Sequence, residues 1–200
     1  CPSDLALMLD VMAGAVPGQP LTADFPSCGR PRARAAGRRI GWLTDWGGAW
    51  AFEDGILALC ESALGVLEGQ GATVVPVAPP FDRDALWQAW TTLRSWAIAA
   101  VLGPLLDDPA TRDRLKPEAV WEIERGRALS ALDVDAASRI RSDWYRRAVA
   151  LFETYDALAL PTAQLWPFPV ERDWPKEIAG QAMDSYHRWM EVVVPASLIG

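Results

Sequence analysis

The sequence predicts an α/β fold, and three observations carry that expectation. Apolar and β-branched runs at residues 39–44, 72–77 and 156–160 are separated by segments whose apolar residues recur at helical spacing. A strand, a helix and a strand follow one another within residues 39–78, the spacing of a βαβ unit with two parallel strands and a right-handed crossover. With 200 residues, 50% of them hydrophobic and 22% charged, the chain is long and apolar enough for one sizeable core, so residues 1–200 read as a single domain.

The chain opens in a helical pattern, SDLALMLDVM, with Ser3 or Asp4 as N-cap and Gly14 as its stop. Residues 14–38 carry Pro, Gly and Arg without an apolar period and read as a linker. Arg30, Arg32, Arg34, Arg38 and Arg39 are its solvated charges. Residues 39–44 read as a short buried strand and 45–50 as the turn leaving it. A helix follows at 53–68. In it Ile56, Leu57, Cys60, Leu64 and Leu67 share one face, Glu53 and Asp54 sit at the positive end of the dipole, and Gly69 and Gly71 end it. The strand at 72–77 completes the unit.

Residues 84–155 form a helical region: 84–106, a break at Asp107-Asp108-Pro109, then 117–129 and 133–155. Nine acidic and nine basic residues between Asp107 and Arg147 mark these helices as solvent-facing, their charges neutralising one another rather than forming a patch. In the last helix Ala137, Ile140, Trp144, Ala148, Leu151 and Tyr155 form one buried stripe. Residues 156–200 hold a third strand at 156–160, a loop at 161–176 and a C-terminal helix. That loop carries Pro161, Pro167, Pro169 and Pro175 with Trp166, Phe168 and Trp174, and its length and aromatic content are those of a loop that lines a site. The first helix has nothing before it to pack on, and the apolar run 192–199 has no polar tail after it. The domain therefore reads as incomplete, a segment of a longer protein.

A net charge of -7 argues against nucleic acid as a partner, and no apolar run is long enough to cross a membrane. Three cysteines, odd in number and irregularly spaced, fit a reducing compartment, so the cytoplasm is the expected location.

Candidate chemistry is sparse. Histidine occurs once, at His187, and lysine only at Lys116 and Lys176. No serine stands in a GxSxG elbow, and one histidine without a cysteine pair does not make a metal site. Asp184 and His187 are three residues apart, on one helix face near Trp189 and Met190, which makes His187 a structural or pocket-wall residue before a catalytic one. The pairs Asp133/Asp135 and Glu171/Asp173 read as helix-start charge and solvated loop. Gly47-Gly48 lacks the rest of a phosphate-binding loop. No cofactor is expected, and the residues alone present no catalytic centre.

Five stretches in order resemble the amidase signature family: SDLALMLDVMAG from Ser3, RIGWL from Arg39, ALCESALGVLEGQGATVVPV from Ala58, YDALALPT from Tyr155 and VPASLIG from Val194. The resemblance covers nearly the whole chain. It implies a mixed-sheet α/β/α fold with a helical insertion in the middle. It also implies acyl transfer from an amide, in which a neutral lysine draws a proton through a bridging serine while a second serine attacks the carbonyl. That Ser-Ser-Lys machinery, and the backbone oxyanion donors beside it, would lie upstream of Cys1, so no catalytic residue is assigned here and the chain alone is expected to be inactive. Two departures stand out: Cys1-Pro2 replaces an Arg followed by Ser or Thr, and Gln164 stands where a second proline often follows Pro-Thr.

The resemblance further implies substrate-binding roles for Arg141, Thr162, Trp166 and Phe168. By its distance from Tyr155-Asp156, Arg141 falls where glutamine-using members place an arginine against the substrate carboxylate. On helix geometry alone it flanks the buried stripe, and a salt bridge to Asp135 or Glu122 serves it equally well. The expected function is hydrolysis of a small carboxamide. The alternatives are the amidase-type component of a glutamine-dependent tRNA amidotransferase and a non-catalytic relative serving as a binding scaffold. A homodimer is compatible with any of these.

Overall fold

The structure, a computed structural model, describes residues 1–19, 24, 26–29 and 34–199. Arg30 and Arg32 of the basic stretch, Pro31 and the terminal Gly200 lie outside the described residues. The chain divides into two compact units, Cys1–Ala35 and Ala36–Gly200.

In the first unit, helix α1 spans Pro2–Met12. Its N-cap is Cys1 rather than Ser3 or Asp4, because Pro2 lacks an N–H and fits the first helical position. Asp4 instead accepts from the Cys1 amino group at 3.0 Å. Asp10 closes the unit by accepting from Ser27 Oγ (2.8 Å) and the Cys28 N–H (2.6 Å).

In the second unit, β1 (Arg39–Trp42), α2 (Ile56–Gly69) and β2 (Thr73–Pro76) form the βαβ unit, with β1 and β2 parallel and Ile40 opposite Val74. Then come α3 (Arg83–Asp107), α4 (Pro109–Arg112), α5 (Pro117–Arg127) and α6 (Ala131–Phe152). Strand β3 (Ala157–Ala159) pairs in parallel with the other side of β1, giving the order β2-β1-β3. Asp156 fastens that return, accepting from the Arg39 N–H at 2.8 Å and pairing with Arg38 at 2.6 Å. Gly41 sits in the central strand, where a Cβ would stand 2.8 Å from Leu158, so only glycine lets helix-side and neighbouring side chains close over β1.

The core joins the sheet exit to the helices. Trp46 packs on Trp50 and, edge-on, on Trp144 at centroid distances of 5.1 and 5.8 Å, beside Leu86, Ala148 and Leu198. Trp144 lies in the stripe expected on α6, and its indole N–H donates to the Pro195 carbonyl at 2.8 Å. The stripe is buried at Ala137, Trp144 and Ala148 and half-buried at Ile140, Leu151 and Tyr155.

Three expectations are corrected. Helix α2 starts at Ile56 with Gly55 as N-cap at φ +84°, so Glu53 and Asp54 precede it and do not serve its dipole. Asp184 and His187 do not share a helix: a hairpin of β4 (Glu177–Ile178) and β5 (Gln181–Ala182) precedes them, and the first helical turn, a 3-10 segment at Arg188–Val193, follows them before α7 (Val194–Ile199). The hairpin turn needs positive φ at two residues, supplied by Ala179 (47°) and Gly180 (82°); Ala-Gly is a poor signal for a turn that favours Asn-Gly. Finally, Glu122 is not solvent-facing; it is 5% exposed.

Candidate functional site

Helix α3 is capped by Asp82, which accepts from the Ala85 N–H at 2.7 Å, and it runs straight enough for Arg94 to reach α5. Pro117 starts α5, and Glu118 and Glu122, four apart, rise from the same face. Glycine at 126, one further turn along that face, brings α5 against the α3 backbone at Ser95. Between α3, α5 and residues 173–187 lies a cavity of about 350 Å³, with Arg94, Lys116, Glu122, Asp173, Tyr186 and His187 in its wall.

Its centre is a buried polar cluster. Arg94 Nε lies 2.7 Å from Glu122 Oε1 and 3.2 Å from His187 Nε2, and His187 Nε2 lies 3.5 Å from Glu122 Oε2. Burial alone would raise the Glu122 carboxyl; the imidazole and the guanidinium outweigh it and hold the group below its ordinary range. His187, 3% exposed, is enclosed by Trp90 at 5.6 Å and Tyr186 at 5.2 Å between ring centres, and is therefore a pocket-wall residue. One turn beyond Glu122, Arg125 donates to Ser95 Oγ (3.2 Å) and Thr91 Oγ1 (3.1 Å), and its burial lowers its pKa from the usual arginine value.

The 161–176 loop reaches this cavity by its far end. Asp173 lines the wall, and the Trp174 indole N–H donates to Glu118 Oε1 at 3.1 Å. Its near end is fastened at the C-terminal edge of the sheet. Gln164, 2% exposed, donates through Nε2 to the Ala51 carbonyl (2.9 Å) and accepts at Oε1 from the Val192 N–H (3.3 Å). The side chain found where a proline is common is thus the clamp that joins the β1 exit, the loop and the 3-10 segment. Glu53 and Asp54 have the same task, since Glu53 Oε2 accepts from the Trp166 N–H (2.8 Å) and the Asp54 carbonyl from its indole N–H (3.1 Å). The β1 exit itself is strained: Thr44 and Trp46 hold φ of 52° and 60°, with Asp45 Oδ1 accepting from Thr44 Oγ1 and the Gly48 N–H.

The residues singled out from sequence fall in different places. Trp166 is 45% exposed, Thr162 is exposed just past β3, and Phe168 packs edge-on against Trp189 at 5.8 Å. Arg141 Nε donates to the Leu198 carbonyl at 3.0 Å, in a groove on α6 shared with Ser138, Ser142 and Tyr145. Neither acid considered for it is its partner, because Asp135 pairs with Arg139 (2.8 Å) and Glu122 with Arg94. None of Thr162, Trp166 or Phe168 lines the Arg141 groove or the 350 Å³ cavity. The cluster of Arg94, Glu122 and His187 was hidden in the balanced charges of the helical region. Its one local sign is Glu122 four residues before Gly126, an acid on a face with a glycine, where helices meet closely.

Comparison with known proteins places the chain. It is 25% identical over 184 residues to an acylamidase from Rhodococcus erythropolis, covering 90% of this chain and 38% of that protein. It is 30% identical over 193 residues to the amidase-type component of the glutamyl-tRNA(Gln) amidotransferase of Chloroflexus aggregans, covering 84% of this chain and 39% of that component. The chain thus spans about two fifths of the length of the curated relatives it matches. It shares its fold with a bacterial aryl acylamidase of the amidase signature enzymes, with a TM-score of 0.77 and 19% identity over 96% of this chain and 42% of the other. The family model described as amidase matches residues 2–200, and the chain belongs to the amidase signature family.

Proposed function

We propose that this chain is the middle-to-C-terminal part of an amidase that hydrolyses a carboxamide C–N bond, yielding a carboxylate and ammonia or an amine through a serine acyl-enzyme. The observation that carries this reading is the family match over residues 2–200, supported by the acylamidase relative. In this reading the catalytic lysine and two serines lie upstream of Cys1. The lysine takes a proton through the bridging serine, the second serine oxygen attacks the carbonyl carbon, the amine leaves with a proton, and water releases the acid. No step calls for a cofactor. The cytoplasm suits the three free cysteines, and a homodimer is compatible with the same reading.

This chain's own contribution is to hold the substrate. The Leu198 carbonyl engages Arg141 Nε, which fixes the guanidinium plane and leaves its Nη edge for a carboxylate or polar group of the substrate. Trp166, tied at both its backbone and indole nitrogens, offers a fixed apolar face, with Thr162 and Phe168 on the same loop as further wall. The 30% identity to the amidotransferase component favours a second reading, a glutamine-dependent amidase component that works with partner subunits.

The test is kcat/KM in the full-length polypeptide for one carboxylate-bearing and one neutral amide. Arg141→Ala is expected to depress the carboxylate-bearing substrate selectively, with Arg141→Lys restoring part. Trp166→Ala and Phe168→Ala should change the ratio of bulky to small amides by an amount worth about 1–3 kcal/mol. Equal losses on every substrate would remove these residues from the site, and turnover only in the presence of partner subunits would favour the second reading.

A further inference from the structure

The wall of the 350 Å³ cavity contains more charge than its own pairs consume. Arg94 and Glu122 neutralise each other at 2.7 Å, and Glu118 is engaged by the Trp174 indole N–H. That leaves Lys116 and Asp173, opposite in sign, without an ion pair or side-chain hydrogen bond among the described residues; the Tyr186 hydroxyl is free in the same sense. Lys116 stands at the start of the eleven-residue helix α5, where the helix dipole adds to its positive charge. Asp173 comes from the opposite wall, on a loop end that Trp174 fastens to α5. Ile98 and Leu102, four residues apart on α3, supply an apolar side between them. The volume is that of a small-ligand pocket rather than of a single water.

We propose that this cavity binds a small zwitterion, an ω-amino carboxylate with a short aliphatic spacer, its carboxylate on Lys116, its ammonium on Asp173 and its methylenes against Ile98 and Leu102. Two uncompensated charges of opposite sign across an apolar wall select for both ends of such a ligand at once. A simple anion leaves Asp173 facing it, and a simple cation leaves Lys116 facing it. The inference rests on the cavity residues alone and not on the amide-hydrolysis reading.

The experiment is isothermal titration calorimetry of the full-length polypeptide near neutral pH with 4-aminobutanoate, butanoate and butylamine. The zwitterion is expected to bind roughly tenfold more tightly than either half-ligand. Lys116→Met should weaken 4-aminobutanoate and butanoate and spare butylamine; Asp173→Asn should weaken 4-aminobutanoate and butylamine and spare butanoate. Both side chains are exposed, so both variants are expected to keep the parent's melting temperature. Absence of saturable zwitterion binding overturns the proposal, as does equal affinity for a half-ligand or zwitterion binding that both variants retain. Absence of amide turnover in the same preparation counts against the proposed function and leaves the binding result standing.

Discussion

Glu122 stays ionised at 5% exposure because Arg94 and His187 face it, and its pKa is lowered even though burial pushes it up. A carboxyl whose folded pKa is lowered contributes stability that is fully present above its unfolded value, 4.5 for glutamate, and is lost as the pH falls through the folded value. Replacing Glu122 by Gln leaves Arg94 without its counter-charge. With the Arg94 side chain 40% exposed, the expected loss near neutral pH is about 1–2 kcal/mol, below the roughly 3–5 kcal/mol of a fully buried broken pair. The melting-temperature gap between parent and Glu122→Gln should therefore narrow as the pH drops below 4.5. A gap that is constant over that range would show that the charge is not what stabilises the site. At this scale the sequence was a partial guide. His187 was legible as a pocket wall because it is the one histidine, whereas Glu122 was one of nine acids in a balanced stretch and only its tertiary neighbours single it out.

At the scale of elements, the contact of α3 with α5 depends on a glycine. A Cβ built on Gly126 would overlap the Ser95 carbonyl and stand 2.7 Å from Ala99 Cβ, so Gly126→Ala must push the two helices apart. The gain of about 1 kcal/mol in helix propensity is set against an overpacking cost of about 1–3 kcal/mol, and a net fall in melting temperature is expected. Gly65 in α2 is the internal control, since nothing lies within 4 Å of a Cβ built there. Gly65→Ala is expected to stabilise by up to about 1 kcal/mol for the same propensity reason. Two shifts of the same sign would refute the close-packing account of Gly126. The long helices and the three parallel strands were legible because their periods run over enough residues to be read locally. The β4-β5 hairpin was not, since two-residue strands and an Ala-Gly turn carry almost no pattern.

At the scale of the whole molecule, the chain covers 38% and 39% of the two curated relatives, and a Ser-Ser-Lys segment is absent from its 200 residues. The 200-residue polypeptide by itself is therefore expected to show no amide hydrolysis sensitive to a serine-directed inhibitor, while the full-length protein shows it. Inhibitor-sensitive turnover by the short chain would refute the assignment of the nucleophile to an upstream segment.

The sequence by itself determined the α/β class, the parallel βαβ unit, the helical region and the family. These depend on periodicity, caps and ordered motifs, which are properties of neighbouring residues. Tertiary structure alone decided that Gln164 clamps three segments, that Glu53 and Asp54 hold Trp166 rather than a helix end, and that Arg141 is engaged by a backbone carbonyl instead of an acid. It also decided that Arg94, Glu122 and His187, spread over 93 positions, meet in one cavity. The physical reason is common to all four: a buried polar group takes whichever partner the fold brings within hydrogen-bond reach, and that partner's distance along the chain leaves no trace in local pattern.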